Sequence, residues 1–152
     1  MNIKSVLSLL VVFLGVVALV VGGIFVWQGM EKDDLLVKAM QEEKITLGIE
    51  GEDLEAGEVI DSATEAEVAG DTIREHRHSI APTYGDLLGG KQYDPTDIEQ
   101  LKYAQALNLE NYLYLAVLGF GVTQLALGAG AFMIVTGLAL ISGGTVIYQI
   151  SK

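Results

Sequence analysis

The chain of 152 residues contains no cysteine, only two prolines and one tryptophan. Without cysteine there is no disulfide, thiolate zinc site, iron–sulfur cluster or cysteine nucleophile. Charge is also missing where a water-soluble domain would need it: positions 5–30 and 111–151 carry no charged side chain. All 20 acidic residues and seven of the nine basic ones lie between Glu31 and Glu110, so the net charge of -11 belongs to the middle segment. Such a surface repels nucleic acid and anionic lipid headgroups, and nucleic acid is excluded as a partner.

The first uncharged run, Val6 to Trp27, is 22 residues long. At 1.5 Å per residue it spans about 33 Å, close to the roughly 30 Å of a bilayer core. It exceeds the core of a signal peptide and is followed by no small-residue cleavage pattern. Trp27 falls where an interfacial aromatic belongs. We therefore expect transmembrane helix 1 over residues 1–30, uncleaved and continuing beyond Glu31.

The second run, from Tyr112 to Ile150, has 39 residues, long enough to raise the question of a hairpin. No polar turn divides it, and one long helix is expected over 112–150. That helix is expected to begin at Asp94 as N-cap with Pro95 in the first turn. Small residues recur along it at Ala116, Gly119, Thr123, Ala126, Gly130, Gly137 and Gly144. The first helix has Ser8, Gly15, Gly22 and Gly29, each seven residues after the last. Small stripes allow close approach of helix backbones, so these two faces are expected to pack together. The expected fold is mainly α: a membrane protein with two transmembrane helices packed as an antiparallel pair, and a small helical extramembrane segment between them.

Between the spans, residues 31–111 read as an acidic extracytoplasmic segment with short helices. Lys44 to Ile49 alternates β-branched residues and suggests a short strand or extended segment. Glu50 to Glu58 has the composition of a loop and lacks the ligand order of an EF-hand. Ser62 and Glu65 have capping-box spacing for a helix that ends before Pro82. Ala66, Ala69, Ile73, His76 and Ile80 form its less polar stripe, which places His76 in the core.

Asp71, Glu75 and His78 share a face of that helix, and a carboxylate–imidazole set suits a divalent metal. The spacing matches no specific motif, and a solvated acidic face accounts for the same residues. No nucleophile elbow, P-loop or dinucleotide fingerprint is present. Neither span has the charged group that ion or proton routes use. Gln124 beside the small stripe suits a hydrogen bond between helices better than a substrate contact.

Other features carry a resemblance. Ala39, Met40, Gln41 and Glu42 through Leu47 follow the anchor helix; Ala66, Asp71, Ile73, His76 and Ile80 lead into Thr83, Tyr84, Gly85, Asp86 and Leu87; Leu115 to Val122 opens a glycine-rich span. This order resembles an uncharacterised family of bacterial, actinobacterial-type two-pass membrane proteins often labelled aromatic ring-opening dioxygenases. The resemblance implies a two-pass topology; the residues themselves offer no dioxygenase centre.

Two functional expectations follow. The first is a non-catalytic accessory or structural subunit of a larger bacterial membrane complex, without cofactor. Its partners are other membrane protein subunits and bilayer lipid, and a homo-oligomer is a variant of it. Both termini are then cytoplasmic and the acidic segment outside, because long loops translocate largely regardless of charge. The second is a metal- or cofactor-binding membrane protein using Asp71, Glu75 and His78.

Overall fold

A computed structural model of the chain describes residues 3–46 and 57–151. It is about 84% helical with no strands among the described residues, which makes the fold mainly α. Among the described residues four helices follow one another: α1 (Ile3–Glu43), α2 (Ala63–Ile80), α3 (Tyr84–Leu88) and α4 (Ile98–Ile150). The two long helices, α1 and α4, pack against each other. No proline falls inside either, so nothing removes a backbone donor or forces a kink.

Both long helices are long and apolar enough to cross a membrane. The most apolar 18-residue stretch of each is only 11% buried, whereas a core helix of a water-soluble protein would be mostly covered. Large apolar side chains face outward along both, among them Phe13 at 65% exposure and Phe132 at 72%.

The chain divides into two compact units. The first comprises α1 up to Asp34 and α4 from Val122 onward. Here Gly15 lies on Gly137, Gly22 on Gly130, and Gly29 on Thr123 and Leu127. The residues met on α4 fall in number as those on α1 rise, so the pair is antiparallel.

The second unit comprises the described residues from Leu35 to Gly121. Its core gathers Ile60, Ala66, Ala69 and Leu113, with Met40, Ile45, Leu109 and Ala116 packed around them. Helix α2 starts with a complete capping box. The Ser62 hydroxyl accepts from the Glu65 amide at 3.3 Å, and the Glu65 carboxylate accepts from the Ser62 amide at 3.0 Å. Thr83 caps α3 through its hydroxyl, and Gly89 ends that helix at φ 54°, the left-handed conformation that glycine adopts without strain.

Three local expectations change. The extended segment contributes one antiparallel bridge, Thr46 to Val59, with the Ile60 amide donating to the Ile45 carbonyl at 2.9 Å. Residues 47–49 of that segment, and 50–56 of the expected loop, lie outside the described residues. The cap of α4 is Asp97, not Asp94: its carboxylate accepts the amides of Glu99 at 2.9 Å and Gln100 at 3.3 Å. Asp94 is engaged in its own turn, accepting the Thr96 amide at 2.9 Å and hydroxyl at 2.7 Å, and α4 begins three residues later than its Pro95 start would give. His76 is exposed rather than in the core. The buried position on that side of α2 belongs to Arg77, one residue on.

Candidate functional site: the helix seam and the buried polar cluster

In the first unit, Ser8, Gly15, Gly22 and Gly29 are the buried residues of α1. On α4, Thr123, Gly130, Gly137 and Gly144 are buried, and Ala126 is half-buried. A Cβ at Gly15 would stand 2.7 Å from the Ile141 side chain and 2.8 Å from the Gly137 carbonyl oxygen. At Gly137 it would stand 2.7 Å from the Gly15 carbonyl oxygen. The two backbones therefore touch, and only the absence of a side chain allows it. At the end of this seam the Thr123 hydroxyl donates to the Asp33 carboxylate at 2.8 Å, joining α4 to α1 through polar atoms.

Other small residues lie off the seam. A Cβ at Gly121, Gly128 or Gly143 would meet nothing within 4 Å, and all three are exposed. Gln124 is exposed as well. Gly119, in the second unit, admits the tip of Leu36, which a Cβ there would approach to 2.9 Å.

The second unit contains the most constrained chemistry of the chain. Arg77 from α2 and Glu110 from α4 form a two-pronged ion pair, Nε to Oε2 at 2.6 Å and Nη2 to Oε1 at 3.2 Å. Both side chains are less than a tenth exposed. The remaining guanidinium nitrogen, Nη1, donates to the hydroxyl of Tyr103, a fully buried residue. The Glu110 hydrogen bond raises the Arg77 pKa above its ordinary value, and the charges of Glu110 and Tyr103 add to it, against the opposing effect of burial. The guanidinium is thus held as a permanent cation.

Sequence reading did not single out this cluster. Its signals were present but weak: Tyr103 and Glu110 are seven apart on α4, and Arg77 continues the spacing of Ala66, Gly70 and Ile73. Nothing local indicates that those two faces meet.

The residues considered for metal binding have other engagements or none. Asp71 accepts from Arg74 at 2.8 Å and from the Tyr114 hydroxyl at 2.5 Å, with the Arg74 guanidinium 5.7 Å from the Tyr114 ring centre. Glu75 and His78 are exposed on α2. No three His, Asp or Glu side chains among the described residues form a group able to hold a metal ion. Likewise, every buried side-chain nitrogen or oxygen among them has a hydrogen-bond partner. The polar cluster is therefore internally satisfied, as expected of groups that position elements rather than react.

No protein-family model, curated protein or solved structure matches the chain. Its functional reading rests on its own geometry.

Proposed function

We propose that the protein is a two-pass membrane protein serving as a non-catalytic accessory or structural subunit of a larger bacterial membrane complex. Both termini face the cytoplasm, and the acidic segment covers an extracytoplasmic surface. The observation that carries this reading is the second set of small residues. The seam uses one face of α4, while Gly121 and Gly128, one heptad apart, stay open on another. Open glycines on an apolar helix let another membrane helix approach closely. Satisfied polar groups, uncharged spans and the resemblance to a two-pass family support the same reading.

The absence of native cysteine makes the test clean. A cysteine placed at Gly128 should crosslink in native membranes to a defined heterologous membrane protein, and Gly128→Leu should abolish co-purification of that protein in mild detergent. A monomer purified alone from native membranes, unaffected by Gly128→Leu, counts against the proposal; chiefly self-crosslinked product replaces it by a homo-oligomer. A cysteine at exposed Glu75 should react with an impermeant maleimide applied from outside. Labelling only after lysis reverses the orientation.

A further inference from the structure

A cavity of about 480 Å³ opens on the side of the second unit. Its floor is Ile60 and Leu113, at 1% and 3% exposure. Its walls are Leu36 and Met40 from α1 and Leu109 from α4. The space arises where small side chains of α1 and α4 meet. Leu36 fits closely at Gly119, and the next facing positions toward the cavity, Ala39 and Ala116, end at Cβ and cannot fill the room left between the helices. The volume lies within the range of about 300–1,000 Å³ typical of small-ligand sites, which also combine apolar walls with a few polar groups. Among the described lining residues, two have polar side chains, Glu43 and Tyr112. Glu43 makes no ion pair with any described residue.

The geometry points to a binding site for the hydrocarbon chain of a single-chain amphiphile whose head group is uncharged or cationic. The apolar walls take the chain, since those side chains give water nothing to bond. The head group lies toward Glu43, where a hydroxyl or ammonium donates to the carboxylate. An anionic head group meets that carboxylate within a strongly acidic segment and is repelled. The two chains of a phospholipid exceed what a cavity of about 480 Å³ accommodates. This assignment does not depend on the subunit role proposed above.

The full-length protein, reconstituted in phosphatidylcholine nanodiscs, is photolabelled with a diazirine-bearing long-chain alcohol and mapped by peptide mass spectrometry. Peptides containing Leu36–Glu43 and Leu109–Ala116 should carry label. Excess alkylamine or unlabelled alcohol should compete, and alkyl sulfate should not. Ala39→Trp, at an exposed rim position, should lower labelling of these peptides by about tenfold, the effect of displacing roughly two buried methylenes. Labelling of the membrane spans should remain. Glu43→Lys, also at an exposed position, should invert the competition so that alkyl sulfate displaces the probe and alkylamine does not. Equal labelling by a diazirine phosphatidylcholine, or labelling indifferent to both variants, overturns the site and leaves ordinary lipid contact.

Discussion

Replacing Gly22 by alanine probes the backbone contact of the seam most directly. The added Cβ would stand 2.8 Å from the Gly130 carbonyl oxygen and 3.0 Å from the Ile134 amide nitrogen. Both are backbone atoms, so no rotamer change relieves the collision. Ordinary contact begins at 3.4 Å, so the helices must part by about 0.6 Å at this point. A gap of about 0.5–1 Å forfeits a quarter to a half of the dispersion energy of each contact across it. Overpacking of this kind costs about 1–3 kcal/mol. Alanine also gains up to about 1 kcal/mol of helix propensity over glycine, which would mask part of the cost. Gly23→Ala removes that ambiguity, because its Cβ meets nothing within 4 Å and it carries the same propensity gain. Unfolding in one detergent, followed by circular dichroism, should show Gly22→Ala about 1–3 kcal/mol less stable than Gly23→Ala. Gly130→Ala should behave like Gly22→Ala. The double variant should cost less than the sum, since one separation relieves both collisions. Agreement of Gly22→Ala and Gly23→Ala within about 0.5 kcal/mol would refute the backbone contact.

Three further outcomes are expected. Arg77→Met strands the Glu110 carboxylate in a buried site and should destabilise the second unit by about 3–5 kcal/mol, read by hydrogen exchange of α2 amides. Adding Glu110→Met should recover part of that loss, and a purely additive cycle would mean that the pair is not coupled. Ser62→Ala removes the hydroxyl half of the capping box and should cost about 0.5–2 kcal/mol, with faster exchange confined to the first turn of α2; exchange unchanged there argues against the cap. The hydrogen bonds from Thr96 hold the Asp94 carboxyl below its ordinary 3.8. Its support of the turn before α4 is therefore complete above that pH and fades as pH falls through the lower folded value. Carbon-detected titration of Asp94 should give a midpoint below 3.8, and Thr96→Ala should move it back up; an Asp94 midpoint that ignores Thr96→Ala contradicts the turn.

Much of the architecture is legible from neighbouring residues alone. Uncharged runs of membrane length, with no proline inside them, specify long helices because nothing interrupts the backbone ladder. The 39-residue second run raises the possibility of a hairpin, yet α4 continues unbroken because no residue in it turns the chain or bonds a turn. The capping box of α2 is likewise local, as Ser62 and Glu65 lie within one turn of each other. The seven-residue recurrence of small side chains is also written along each helix.

Other features depend on which faces meet. Asp94 and Asp97 are both sound cap residues, and the choice between them turned on Asp94 closing a turn with Thr96. His76 and Arg77 differ by one position, about 100° around a helix. The arginine lies inside because Glu110 and Tyr103, 33 and 26 residues away, supply the bonds that make its burial tolerable. Without that partner the ordinary preference for a histidine over an arginine indoors would hold. The cavity beside Glu43 has the same origin, since Ala39 and Ala116 leave space only once α1 and α4 are side by side. Periodicity, capping and the lack of helix breakers act within a turn or two of chain, so the sequence by itself determined the helices and their membrane-length apolar character. The buried ion pair, the placement of Arg77 and the empty space between facing alanines depend on contacts between residues far apart in the chain, and only the tertiary structure decided them.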